Sequence, residues 1–183
     1  VSEKTLELLK DEINLIKDPK IKAFTISGLR SAPDYFDTVA SSTSGKYHPK
    51  YALGEGGLIR HVKAVVMVVR ELVVAMEIEN KVDYLISAAL LHDIAKNGRL
   101  YRNGQFDNSE GNVTQNHGVK TAEYLVATIP DADKDVCRIL SKHMGRWSPQ
   151  GVRPQSKAEY CLHLADYLAS RKFISIDGVS EQQ

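Results

Sequence analysis

Six ligand-type side chains run through this chain in the order His61, His92-Asp93, His117, His143, Asp166. Apart from the adjacent pair, each falls on a separate predicted helix or loop. Imidazole and carboxylate are the groups that borderline and hard divalent metals take from proteins. The chain holds 6 histidines, and four of them belong to this series. Scatter explains such a pattern poorly, and any fold that unites it must bring distant segments to one point.

The segments read as helices. Leu6, Leu9, Ile13 and Ile16 recur at helical spacing and predict a first helix over 3–17. Asp18-Pro19 supplies an N-cap and a first-turn proline for a second helix to about Leu29. Pro33 opens a third, short helix. Residues 41–57, rich in Ser and Gly, read as a loop carrying Lys46, His48 and Lys50. Over 58–77 the valine runs favour strand by propensity. Length without Gly or Pro favours helix, and helix is the reading taken. Val82 to Lys96 predicts a long apolar helix stopped near Asn97-Gly98. Asn103-Gly104, between Tyr101 and Phe106, predicts a tight hairpin. Helices follow at about 116–128 and 132–144, then a polar loop over 145–155. Ser156-x-x-Glu159 is a capping box opening a last helix to about Lys172. The expected fold is all-α with one small hairpin. Residues 1–45 would form N-terminal helices packed on a 46–175 core, with 176–183 a flexible tail, all within one domain.

Composition excludes several classes. The formal net charge is +1, so bulk electrostatics favours neither nucleic acid nor membrane, and any phosphate-binding charge must be local. Val62 to Met76 is interrupted by Lys63, Arg70 and Glu71 and is too short and too charged to span a bilayer. Val1-Ser2-Glu3-Lys4 has no signal-peptide character. These features predict a soluble cytoplasmic protein. Cys137 and Cys161 sit in apolar helical patterns and are expected as buried free thiols. No P-loop, dinucleotide fingerprint, nucleophile elbow or C-x-x-C spacing occurs.

Leu90-Leu91-His92-Asp93-Ile94-Ala95-Lys96 resembles the signature of the HD superfamily of metal-dependent phosphohydrolases. Gly56-Gly57-Leu58-Ile59-Arg60-His61 resembles the helix carrying its first histidine. Ser141-Lys142-His143-Met144-Gly145 resembles its late histidine, and Leu164-Ala165-Asp166-Tyr167-Leu168-Ala169-Ser170 its final aspartate helix. Within the superfamily the chain is most similar to the HD domain of YhaM-type 3′–5′ exoribonucleases, from about Lys46 to Lys172. The tyrosine-proline signature of the cyclic-di-GMP branch is not found after His143.

The resemblance implies an HD-domain helical bundle and two divalent ions, drawn from Mn, Fe, Ni, Co, Mg or Zn. His61, His92, Asp93 and Asp166 would hold one ion. Asp93 would bridge to a second, held by His117 and His143. It implies hydrolysis of a phosphate ester by metal-activated water. The substrate would be a nucleotide, a cyclic nucleotide or a short oligonucleotide, and the YhaM-type likeness favours 3′-end trimming. Alternatives stay open: one metal with His117 and His143 acting on substrate, a diiron oxygenase using the same donors, or a non-catalytic metal-binding regulatory domain. No oligomeric state follows.

Asp93 and Lys96 are the expected catalytic residues. Lys96 is three residues past Asp93, on the same helix face, where it would contact a substrate phosphate. The plainer reading is a solvated cation at a helix C-terminus. Arg146, Trp147 and Arg153 are candidate substrate-binding residues, since arginine forks suit phosphate and an indole suits a stacked base. Against that stands a loop tied down by a buried Trp147. His48 is expected at the surface or behind the ligands. His163, one turn before Asp166, would orient a ligand or simply pack. Tyr101 and Arg102 could line the entrance.

Overall fold

A computed structural model of the chain describes residues 3–42, 44–97, 99–100, 106–107, 116–148 and 152–176. The expected hairpin turn, with Tyr101 and Arg102, lies outside them, as do 149–151 and the tail beyond Ile176. The architecture is all-α apart from one two-residue pairing. There β1 (Arg99–Leu100) runs antiparallel to β2 (Phe106–Asp107), with Leu100 opposite Phe106.

The first predicted helix is interrupted. α1 (Glu3–Leu8) and α2 (Lys10–Asn14) meet at Leu9, whose backbone turns to φ −108° and ψ 13° while its side chain is fully buried. Tertiary packing of Leu9 overrides the continuous apolar spacing. Asp18 then caps α3 (Pro19–Ser31), accepting from Lys20 N at 2.8 Å and Ile21 N at 3.1 Å. Pro33 precedes a 3₁₀ turn, Asp34–Asp37, in place of the expected short helix.

α4 (Gly57–Ala75) is helical despite its valines. Leu58, Val62, Val65, Val66, Val69 and Val73 are buried and recur at helical intervals. Burying that stripe outweighs the small per-residue β preference. The 41–57 loop packs on the helix start: a Cβ on Gly57 would lie 2.4 Å from the Ala52 carbonyl oxygen.

α5 (Val82–Leu91) is the central helix. Its residues from Leu85 to Leu91 are all buried, as expected for a helix surrounded by protein. α2, α3 and α4 pack against it, joined by α7 (Lys134–Ser141) and α8 (Lys157–Ala169). Asp83 ties its start to the α2–α3 link, accepting from Lys17 N at 3.1 Å and Asp18 N at 2.7 Å. α6 (His117–Thr128) packs on α7, and α4 on α8. Cys137 and Cys161 are buried free thiols. Burial pushes them up to about 11 and about 12. Among the described residues no helix is long and apolar enough to cross a membrane.

The capping box at α8 also joins it to α7. Glu159, 1% exposed, accepts from Ser156 N at 3.1 Å and Gln155 N at 2.7 Å. Arg138 Nη1 at 2.7 Å and Lys142 Nζ at 3.3 Å complete its partners. Burial alone would raise its pKa. The bonds from Gln155, Ser156 and Lys142 outweigh burial and hold the carboxyl below its ordinary 4.5. Its contribution is therefore full above the unfolded value and is lost as the pH falls through the lower folded value. Glu159→Gln should cost about 1.5–3 kcal/mol in urea unfolding at neutral pH. The difference from the parent protein should shrink as the pH is taken below the ordinary 4.5; a difference that does not change with pH would contradict this account.

Candidate metal centre

The six ligand-type residues converge. His61 lies one turn into α4, His92 and Asp93 directly follow α5, His117 opens α6, His143 follows α7 and Asp166 belongs to α8. His61, His92 and His143 are fully buried and Asp93 is 1% exposed. The Asp166 side chain, 24% exposed, forms the open edge.

Asp93 divides the four histidines. Its Oδ2 lies 3.7 Å from His61 Nε2 and 3.4 Å from His92 Nε2. Its Oδ1 lies 3.1 Å from His117 Nε2 and 3.8 Å from His143 Nε2. Asp166 Oδ1 stands 3.1 Å from His61 Nε2 and 3.9 Å from His92 Nε2. Among the described residues three overlapping groups could hold a metal ion: His61–His92–Asp93, Asp93–His117–His143 and His92–His143–Asp166. The first two share Asp93; the third draws His143 toward Asp166 as well.

Backbone carbonyls set the tautomers. His92 Nδ1–H donates to Ala89 O and His143 Nδ1–H to Leu140 O, each at 2.7 Å and three residues back. In the neutral ring, the form that ligates metals, each Nε2 is then a lone pair turned inward. His92 Nε2 and both nitrogens of His61 are buried without a hydrogen-bond partner. His143 Nε2 faces His117 Nε2 at 3.1 Å. Each orphaned buried nitrogen costs about 1–3 kcal/mol, a cost that a cation removes. Two donors each about 2.1 Å from one cation lie roughly 3.0–3.4 Å apart, close to the shorter separations here. The donor set fits a divalent metal.

Electrostatics agrees. Burial would raise the Asp93 carboxyl, but His92, Lys96 and the His117 bond hold it well below its usual range. Burial is likewise outweighed at Asp166, mainly by His61. Burial pushes His61 down against the pull of Asp166. It pushes His143 down to about 3, with His92 and His117 adding to the effect. Both rings are thus neutral at neutral pH, the form that ligates metals. For His92 burial lowers the pKa, but Asp93 outweighs it and raises the value.

The predicted helix to Lys96 stops five residues early. α5 ends at Leu91, and the chain continues in tight turns, with Ile94 N bonded to Leu91 O at 3.2 Å and Lys96 N to Asp93 O at 3.0 Å. Thr121 replaces the lost helical partners: its hydroxyl accepts from Ala95 N and donates to His92 O, both at 3.1 Å. Tyr35 donates to Ile94 O and accepts from Asn97 N at 3.2 Å. Sequence reasoning missed both residues. Thr121 was findable, being one turn past His117 on the same face; Tyr35 carries no local signal.

Lys96 is not a solvated cation. It is 8% exposed, and its Nζ donates to Asp93 Oδ2 at 2.7 Å and Ser41 Oγ at 3.0 Å. Trp147 is not a buried anchor: it is 65% exposed, with the Arg146 guanidinium 4.6 Å from its ring centre. Arg146 and Trp147 stack on each other rather than on the ligand set, and Arg153 is exposed further along the loop. His163 has a defined contact, donating from Nδ1–H to the His143 carbonyl at 2.7 Å. Gly145, at φ 56°, lies beneath that ring, where a Cβ would fall 2.1 Å from His163 Cε1. His48 is half-buried, its ring centre 6.5 Å from that of His61. Burial, then His61, pushes it down to about 4.

Comparison with known proteins gives two results. The HD domain family matches residues 58–171, which enclose all six ligand-type residues. The dihydroneopterin 2′,3′-cyclic phosphate phosphodiesterase of Methanocaldococcus jannaschii is 31% identical over 175 residues, covering 90% of this chain and 64% of that relative. The chain thus spans less than two thirds of the relative's length. No solved structure matches the chain. With the family match covering most of its length and every residue of the converged His/Asp cluster, the chain belongs to the HD domain family.

Proposed function

We propose that this chain is a metal-dependent phosphohydrolase that cleaves a phosphodiester with two divalent ions. His61, His92, Asp93 and Asp166 would hold one ion, and Asp93, His117 and His143 the other. The observation behind this reading is the division of four histidines between the two oxygens of one buried carboxylate. When bound, such ions polarise a phosphoryl group and make water nucleophilic near neutral pH. The chain's own groups orient and neutralise. The carbonyls of Ala89 and Leu140 fix two imidazoles. Lys96 places a positive charge beside Asp93 Oδ2, where it offsets the charge of an incoming phosphate. Water adds to phosphorus, the ester P–O bond breaks, and the departing oxygen takes a proton.

The relative's named substrate is a cyclic phosphate, which is an internal phosphodiester. Trimming of a 3′ end, favoured by the YhaM-type likeness, breaks the same kind of bond. The substrate class is therefore a nucleotide-like phosphodiester, cyclic or short and linear. The same donors would serve a diiron oxygenase, which needs oxygen and releases no phosphate ester product.

Mn²⁺-loaded protein should hydrolyse bis(p-nitrophenyl) phosphate and a nucleoside 2′,3′-cyclic phosphate under anaerobic conditions. A chelator should stop the reaction and added Mn²⁺ restore it. Asp93→Asn should lower kcat about a hundredfold or more. Fully metallated protein that hydrolyses neither compound and consumes oxygen instead would replace this reading with the oxygenase.

Lys96→Met should weaken both metal retention and turnover, because the ammonium touches a ligand-type oxygen. Loss of such a supporting partner costs about 10–100-fold. Arginine should rescue only in part, since a planar fork does not copy a point charge. Metal titration and steady-state kinetics of both variants check this; unchanged values for Lys96→Met would remove the residue from the site.

A further inference from the structure

The 41–57 loop reaches the metal cluster at two places. Ser41 Oγ accepts from Lys96 Nζ at 3.0 Å. The other place is His48, whose ring centre stands 6.5 Å from that of His61. That contact is not a hydrogen bond, since both His61 nitrogens are without a partner. Among the described residues none is hydrogen-bonded to the His48 ring. Lys96, Asp166 and Asp93 also act on the ring electrostatically. Its outer side is open: His48 lines a recess of about 520 Å³ together with Tyr51, Leu53 and Lys172. One imidazole thus stands between the cluster and a space that a ligand can enter, with its hydrogen-bonding capacity unspent.

The backbone around His48 is fastened on both sides. Just before it, the Tyr47 carbonyl accepts from Lys172 N at 3.0 Å. Just after it, Pro49 is buried and its carbonyl accepts from Ala52 N at 3.1 Å. Tyr51 OH donates to the Ala169 carbonyl at 2.6 Å, at the end of the helix that carries Asp166. Arg60, adjacent to His61, donates from Nε to the Tyr51 carbonyl at 2.6 Å and from Nη2 to the Leu53 carbonyl at 2.8 Å. The helices of two ligand-type residues therefore hold the segment that presents His48. A group that positions a reacting phosphate needs such support; a merely solvated side chain does not. The groups of described residues that could hold an ion do not include His48. Burial, then His61, keeps its ring neutral at neutral pH. A neutral imidazole offers one N–H and one lone pair, so it can donate a hydrogen bond without adding charge to the cluster.

We infer that His48 is a further substrate-binding residue, whose ring N–H donates to a phosphoryl oxygen of a phosphate group held at the cluster. The inference rests on the phosphohydrolase reading above and adds a residue to it. The hydrogen bond orients the phosphoryl group and supplements the charge offset from Lys96. No proton changes owner in this contact.

The test uses the full, Mn²⁺-loaded chain and two variants. His48→Leu removes the donor, and His48→Gln keeps an N–H. Calorimetry with inorganic phosphate should give a Kd about tenfold or more weaker for His48→Leu, the worth of a hydrogen bond to a charged group. His48→Gln should recover part of the loss. kcat/KM for bis(p-nitrophenyl) phosphate should fall in the same order, while metal content and Tm match the parent protein. A crystal of the loaded parent protein soaked in phosphate should place an oxygen within about 3.2 Å of a His48 ring nitrogen. Absence of that contact overturns the inference, as does a parent protein that binds no phosphate. Unchanged affinity in His48→Leu overturns it too. Equal losses in the two variants would make His48 a packing residue, and loss of metal with His48→Leu would make it a ligand; either result also overturns it. Phosphate binding that follows the expected order, in protein that hydrolyses no phosphodiester, would uphold the role of His48 and defeat the phosphohydrolase reading, so the two failures are distinct.

Discussion

The structure depends on one buried carboxylate. Asp93 sits 1% exposed at the junction of helices, with both oxygens turned to imidazole nitrogens. A charge taken out of water is costly unless it is paired and hydrogen-bonded. Lys96 gives it a direct ion pair. The inward nitrogen of His143 is a lone pair, since burial keeps that ring neutral and its proton is committed to the Leu140 carbonyl. Lone pairs facing a carboxylate repel it unless positive charge lies between them. The protein is thus organised around cationic charge that its own side chains supply only in part.

The ligand-type residues are cross-braced by neighbours outside the set. α6 presents His117 and, one turn later, Thr121, which holds the carbonyl of His92. α8 presents Asp166 and, one turn earlier, His163, which holds the carbonyl of His143. Each helix therefore positions its own ligand-type side chain and the backbone of another. Such supporting partners commonly matter to metal affinity nearly as much as the ligands do. The apolar wrapping of α5 keeps this framework rigid, because a close-packed core transmits displacement rather than absorbing it.

Much of this was legible in the sequence where signals are local. Asp18-Pro19 and Ser156-x-x-Glu159 announced the starts of α3 and α8, because capping is a short-range interaction. The buried stripe of α4 was readable from length and spacing against its valine content. The order of His and Asp residues pointed to the cluster, although which oxygen faces which ring was not readable from spacing. What escaped depends on tertiary contact. The stop of α5 at Leu91 exists because Thr121 and Tyr35 offer hydrogen bonds that compete with a continued helix. The break at Leu9 follows packing, not propensity. The exposure of Trp147 and the burial of Lys96 are set by neighbours far away in the chain, such as Ser41 for Lys96.

The central claim is that the six residues would hold two ions, with Asp93 contributing to both. Crystals of the Mn²⁺-loaded protein, measured at the manganese absorption edge, test it most directly. The account predicts two anomalous peaks on opposite sides of the Asp93 carboxylate, one against His61, His92 and Asp166 and the other against His117 and His143. A single peak beside Oδ2, with His117 and His143 both unligated in fully loaded protein, would contradict it.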